Sequence, residues 1–302
     1  MQLVIDHKRG KELALLLYEL FATKGIFGKT VMPEDLVPEG VMKGSIEHIL
    51  FLTQTVSIDY QRDANALWAS ARNTFEDRES RYLFEPDKLS DASYSNVIKD
   101  MQRHKLSKKQ KKDASIWRTI GVSFHKKWQN NPLNFIESCD WDALVVLDHL
   151  KRDTHLNNNK PVPDYPYLRG NKIGPLWLRM LRDNAEISQL KNMDKVPIPV
   201  DIHVARATLA TGVVRGIFKG SLESLFDHIR EAWFRSMAGL TVRDRPKIAL
   251  DVDEPLWHLS KYGCTERITL NGGCPRSQTC EVKEYCINGR IDIRNGFVEL
   301  DT

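Results

Sequence analysis

Residues 264–286 read CTERITLNGGCPRSQTCEVKEYC. Four of the five cysteines in the chain fall here: Cys264, Cys274, Cys280 and Cys286, with gaps of nine, five and five residues, while Cys139 stands far off. Four thiols on one short loop suit a tetrahedral zinc ion or a [4Fe–4S] cluster, because both need four soft, negatively charged sulfur ligands. Disulfides need an oxidising compartment. The opening MQLVIDHKRGKELALLLYELF is an amphipathic helix pattern mixed with acids and bases, not the apolar core of a signal peptide. The expectation is an intracellular metal or cluster site at these four cysteines. Zinc sites usually show short two-residue knuckles; the wider gaps favour iron–sulfur, with zinc as the alternative.

Working back from the cysteines, helical patterns near 255–262 and 222–237 lead into the loop. Before them, VPIPVDIHVARATL (196–209) gives a proline-restricted extended segment, then Asp201 at the mouth of a helix carrying His203 and Arg206. An Asp in that position is an N-cap, and the helix dipole keeps it ionised. Further back, LRGNKIGPLWLRML (168–181) reads as a turn holding Gly170 and Gly174, with Pro175 at the first position of a helix. Residues 183–195 are polar and read as an insertion. The run NNNKPVPDYPY (157–167) reads as a loop by its Asn and Pro content.

HKLSKKQKK (104–112) crowds Lys105, Lys108, Lys109, Lys111 and Lys112 together. Such blocks neutralise phosphates and release counterions, or else form a solvated helix face. Ser107 is placed to cap the helix that follows. Towards the start, ILFLTQTVSIDYQRDANALW (49–68) is read as a helix ending near Leu52, a polar break over 53–57, and a new helix from Ile58 capped by Ser57.

The whole chain has 302 residues, room for one large domain or two ordinary ones. Hydrophobic residues make up 41% and charged residues 28%, as in ordinary globular proteins, so disordered and membrane-embedded classes are excluded. A net charge of +4 is too mild to name nucleic acid by itself; its distribution matters more. Strand-like alternation is confined to IDIRNGFVEL (291–300). The pattern is therefore mainly helical.

Three of these stretches, in this order, resemble the helix-hairpin-helix DNA glycosylase superfamily, especially its iron–sulfur branch around endonuclease III. ILFLTQTVSIDYQRDANALW looks like the family's helix–loop–helix carrying a Gln, here Gln54. VPIPVDIHVARA is similar to the segment holding the catalytic Asp, here Asp201. The four-cysteine loop follows the last helices, as in the family. The basic run is similar to the helix pair that grips the duplex. The likeness covers most of residues 45–286. The departures are wider cysteine gaps, a turn reading LRGNK where the family has an LPGVG-type sequence, and 29 positions between Lys172 and Asp201. That long spacing is like the archaeal 8-oxoguanine glycosylases, which lack the cluster.

The resemblance implies an all-α fold of two helical lobes with a cleft between them and a C-terminal four-cysteine cluster loop. Residues 44–195 would form the central domain. Residues 1–43 would pack with the C-terminal lobe, 196–302. The implied activity is excision of a damaged or modified base from double-stranded DNA, after flipping it out of the stack, by a monomer in a prokaryotic cytoplasm at the nucleoid. Asp201 would be catalytic. Lys172 would supply an associated AP lyase step. Gln54, Lys105, Lys108, Lys109, Lys112, Arg169, Gly170 and Asn171 would contact DNA. Arg267, Arg276 and Lys283 in the cluster loop would lie along phosphates. The alternative is a non-catalytic iron–sulfur or zinc DNA-binding protein on the same scaffold.

Overall fold

The computed structural model describes residues 3–267 and 273–301. In chain order the helices are α1 (His7–Thr23), α2 (Ile46–Ser57), α3 (Ala64–Glu76), α4 (Pro86–Asp91), α5 (Tyr94–Arg103) and α6 (Gln110–Trp128). They continue with α7 (Pro132–Ser138), α8 (Ala143–Arg152), α9 (Ile173–Asp183), α10 (Ile202–Ala210), α11 (Leu222–Met237) and α12 (Asp253–Tyr262). The strands are β1 (Leu3–Ile5), β2 (Thr154–Asn157), β3 (Lys160–Pro163), β4 (Val214–Lys219), β5 (Thr241–Val242), β6 (Arg245–Pro246), β7 (Gly289–Asp292) and β8 (Phe297–Leu300). The fold is mostly helical, but the strands correct an all-α description. No helix among the described residues is long and apolar enough to cross a membrane.

The chain divides into two compact units: residues 1–31 with 194–302, and residues 32–193. The first boundary thus falls at 31/32 rather than 43/44. Chemistry holds the segment after it in the central unit. Glu34 forms a fully buried ion pair with Arg179 of α9, and Asn184 donates to Asp35 at 2.7 Å. Burial pushes the Glu34 carboxyl up, while the Arg179 guanidinium pulls it back down.

In the terminal unit, a four-stranded antiparallel sheet runs in the order β1-β4-β8-β7. The alternation at 291–300 is real: β7 and β8 pair Ile291 with Val298, and both are buried. Gly296 closes that hairpin at φ +60, and a Cβ there would sit 2.0 Å from the Gly220 carbonyl oxygen. Only glycine fits both demands. β1, only three residues long, and β4 pair with each other across more than 200 positions of the chain. Leu13 and Leu17 of α1 pack into a core with Val204, Leu209, Ile229 and Trp233. Trp233 Nε1 donates to Thr208 at 2.8 Å, which satisfies its one polar atom in the core.

The central unit is built on aromatic packing. Phe51, Phe75, Phe84 and Trp117 meet edge-on or tilted at 5.1–5.7 Å. Trp68, Trp117 and Trp177 are fully buried, so these tryptophans pack rather than read a ligand. The expected break at 53–57 does not occur: α2 runs to Ser57, and the next helix starts at Ala64 with Asp63 as its cap. The hydroxyls that suggested a break are absorbed inside the helix. Thr53 Oγ1 donates to the Ile49 carbonyl at 2.6 Å, and Ser57 Oγ to the Gln54 carbonyl at 2.6 Å.

Residues 154–163, read as loop, form the β2–β3 hairpin. Asn158 and Asn159 take the positive φ values (49 and 60) that a two-residue hairpin turn requires, and Asn tolerates them. The segment 183–195 is tied to the start of α8. Lys191 N donates to the Trp141 carbonyl at 2.8 Å, and Asn192 Nδ2 to Asp142 at 2.6 Å.

Candidate functional site

The basic run in the central unit is shaped by a residue just past its end. Asp113, 1% exposed, lies in the first turn of α6. Its Oδ2 accepts from Ser107 Oγ at 2.9 Å, Lys108 N at 2.9 Å and Lys109 N at 2.8 Å. Its Oδ1 accepts from the Tyr60 hydroxyl. Ser107 is therefore not the cap; Asp113 satisfies the free N–H groups from inside. Arg62 Nη1 donates to the Leu106 carbonyl at 2.8 Å and fixes the same turn.

With its backbone held this way, the run points cations outward. Lys105, Lys108, Lys109 and Lys112 are exposed. Lys108 Nζ donates to the Gln61 carbonyl at 3.0 Å, and Lys109 Nζ to Gln61 Oε1 at 2.7 Å. Tyr60 stacks on Tyr167 with ring centroids 4.4 Å apart and planes 26° apart. Lys109 lies 4.8 Å and Lys112 5.3 Å from the Tyr60 ring, and Lys112 lies 5.0 Å from the Tyr167 ring. The Tyr60 phenol is held well above its usual pKa, first by burial and then by the Asp113 hydrogen bond.

Tyr167 belongs to the turn before α9, so the stack joins the basic run to the expected hairpin. Gly170 N donates to the Tyr167 carbonyl at 2.9 Å; Arg169 and Asn171 are exposed. Lys172 is the residue immediately before α9, and its Nζ lies 3.4 Å from both Asp59 Oδ2 and the Asp59 carbonyl. The helix starts at Ile173, so Pro175 stands in its third position, not its first. Gly174 is a packing glycine: a Cβ there would meet the Leu168 carbonyl at 2.7 Å and Leu147 of α8 at 2.9 Å. Helices α8 and α9 do pack together, but the connection between them contains β2 and β3 instead of one tight turn.

Gln54 is placed differently from its expected DNA-contacting role. Because α2 continues past Leu52, residue 54 falls on an inward face and is fully buried. Neither atom of its amide has a hydrogen-bond partner among the described residues. A Cβ on Gly121 of α6 would lie 3.0 Å from Gln54 Nε2, which locates the amide against that helix. Gln54 is a core residue of the central unit.

In the terminal unit, Asp201 is the N-cap of α10. Its Oδ1 accepts from His203 N at 2.7 Å and Val204 N at 3.0 Å, and its side chain is half-buried. These two backbone N–H groups fix the orientation of the carboxyl group at the mouth of the helix. His203 Nδ1 lies 3.2 Å from Ser260 Oγ, a structural contact to α12. Arg206 Nη1 donates to Ser260 Oγ at 3.3 Å and Thr265 Oγ1 at 3.1 Å, next to Cys264.

The four loop cysteines are unpaired thiols. Cys264 is buried directly after α12, Cys274 and Cys280 are half-buried, and Cys286 is exposed. Burial pushes the Cys264 thiol up, and Cys286, Cys280 and Cys274 each push it further. Cys280 is pushed up to about 11, again mainly by burial. Two guanidiniums pin the loop. Arg267 Nη2 donates to the Ile287 carbonyl at 2.5 Å and to that of Gly289 at 3.2 Å; Arg9 Nη2 donates to the Tyr285 carbonyl at 2.8 Å. Arg267 pulls the thiols of Cys264 and Cys286 down, and Arg9 that of Cys286. A soft all-sulfur donor set flanked by cations fits a metal that binds thiolates. Among the described residues, no group of three or more His, Cys, Asp or Glu side chains is gathered in metal-holding geometry. Residues 268–272, within the first gap, lie outside the described residues.

Of the other cluster-loop cations, Arg276 is paired with Glu266 at 2.9 Å and Lys283 is exposed. Arg267 is buried, which corrects its expected place along a phosphate backbone. Sequence reasoning missed Asp59, Tyr60, Asp113 and Tyr167. The signal for the two tyrosines was their position beside charged loops; nothing local ties Asp113 to Tyr60, 53 positions away. No protein-family model matches the chain, and no curated protein matches it either.

Proposed function

We propose that the chain is a DNA glycosylase of the helix-hairpin-helix type, acting on a damaged or modified base in double-stranded DNA. The observation that carries this reading is the meeting of three distant segments at residues 59–61. Lys108 and Lys109 reach Gln61, Tyr167 stacks on Tyr60, and Lys172 pairs with Asp59. One face of the central unit thereby holds exposed ammonium groups around aromatic rings, a surface suited to phosphates and bases. Lys105 and the turn Arg169, Gly170 and Asn171 extend that surface.

Breaking the bond between base and sugar builds positive charge on the sugar, which a fixed carboxylate stabilises. Asp201 has that chemistry: its carboxyl group is oriented by two backbone N–H groups. Lys172 attacks the sugar carbon only as a free amine, so it must first leave Asp59 and lose a proton. A [4Fe–4S] cluster, or zinc in its place, would close the loop by joining Cys264, Cys274, Cys280 and Cys286. Such a protein would work on the nucleoid of a prokaryotic cell.

The test is base release from a panel of duplexes, each holding one lesion. Asp201→Asn keeps the shape and loses the charge, so DNA binding should survive while release falls by about 10³-fold. Borohydride during turnover should trap wild type on DNA and not Lys172→Gln. Release without trapping removes the lyase step alone. No release from any duplex, with DNA binding intact, leaves the non-catalytic binding protein, in which Asp201 is only the cap of α10.

A further inference from the structure

A pocket of about 310 Å³ opens in the terminal unit, lined by Arg206, Arg267 and Arg294 together with Cys264, Thr265 and Asp292. Three guanidiniums around one small pocket need a reason. Like charges repel, and the two groups withdrawn from water, half-buried Arg206 and buried Arg267, cost desolvation unless an anion joins them. The hydrogen bonds these groups make leave most of their charge unanswered. Arg206 donates to two hydroxyls, of Ser260 and Thr265, and Arg267 to the carbonyls of Ile287 and Gly289. Arg267 is 9% exposed, and its Nε has no partner among the described residues.

The one carboxylate lining the pocket is already engaged. Asp292 accepts from Asn295 N at 3.4 Å and Asn295 Nδ2 at 3.0 Å, and pairs with Arg290 at 3.5 Å. Asp201 contributes its charge to Arg206 from the cap of α10.

We propose that this pocket is a binding site for a phosphate-class oxyanion, held by Arg206, Arg267 and Arg294. Guanidinium groups match phosphate oxygens in paired hydrogen bonds. The volume lies at the small end of ligand sites, which suits one phosphoryl group with its first waters. The site stands apart from the glycosylase reading and does not depend on it.

The experiment titrates the purified, metal-loaded protein with inorganic phosphate by calorimetry and by thermal unfolding, at constant ionic strength set with chloride. Saturable binding is expected, with a rise in unfolding temperature that follows ligand concentration. Arg294 is exposed, so Arg294→Ala should fold and retain its metal while binding phosphate about tenfold more weakly. Absence of saturable binding in wild type overturns the proposal; the guanidiniums then serve only to balance the thiolates of the loop. Equal affinity in wild type and Arg294→Ala overturns it too. Competition with undamaged duplex DNA separates the sources of the anion. Displacement of bound phosphate assigns the pocket to a backbone phosphate, and no displacement assigns it to a small phosphorylated ligand.

Discussion

The two units carry their candidate chemistry in opposite ways. In the central unit the functional side chains stand outside a finished scaffold. Lys108, Lys109 and Lys112 are exposed, while the buried Asp113 holds the backbone that presents them. In the terminal unit the candidate groups are part of the scaffold: Cys264 and Arg267 are buried, and Arg267 bridges the strand-bound end of the cysteine loop. A substitution among the exposed lysines should therefore read as a change of function in the central unit, and one at a loop cysteine or at Arg267 as a loss of fold in the terminal one.

The largest expected effect tests the terminal half of this contrast. Cys280→Ser removes one of four thiols. Structural thiolate–metal sites contribute on the order of 10 kcal/mol to folding. If the loop holds the iron or zinc proposed for it, the variant should lose that metal and melt in its terminal unit well below wild type, seen by metal analysis and calorimetry together. A variant that keeps both its metal and its melting temperature would break the comparison.

Next comes Asp113→Ala. It strands four donors on a buried site, from Tyr60, Ser107, Lys108 and Lys109. The expected loss is about 3–5 kcal/mol by urea unfolding, with weaker DNA binding as a consequence. A loss below about 1 kcal/mol would show that the turn is held by packing alone.

Acid should affect the two units alike, which sharpens the comparison. His48 in the central unit and His258 in the terminal unit are fully buried, and burial lowers each to a pKa of about 4 from the usual 6.5. The unfolded chain takes up these protons below pH 6.5, while the folded chain resists until about pH 4. Stability is therefore complete above pH 6.5 and falls as the pH drops through that window, by up to about 3 kcal/mol per histidine. His258→Phe, among Phe21, Trp257 and Tyr262, should flatten the loss in the terminal unit alone. Urea titrations at pH 7 and 4.5 measure it.

The smallest effect on stability is expected from Lys108, Lys109 and Lys112 all changed to Ala: within about 0.5 kcal/mol. The same triple variant should lower the salt slope of DNA affinity by about three, uniformly across sequences. An unchanged slope would make the run a solvated helix face.

Much of the local order was legible in the sequence, because it depends on neighbours a few positions away. The cap at Asp201, the helix at 222–237 and the strand-like alternation near 291–300 all follow from short-range pattern. Errors arose where a local signal had a second meaning. Thr53 and Ser57 looked like a helix break but bond back to carbonyls of their own helix. Asn158 and Asn159 looked like loop but make a hairpin turn. Gln54 read as a surface amide only because the helix around it was cut short.

The sequence by itself determined a mostly helical chain, a basic run, a thiol-rich loop and an aspartate at a helix mouth, since each is a property of adjacent residues. Tertiary structure alone decided what those features meet. Asp113 satisfies Tyr60, 53 positions away, because a buried carboxylate must find donors wherever the fold brings them. Tyr60 stacks on Tyr167, and Arg206 and Arg294 face one pocket, through packing of segments that no spacing in the chain relates.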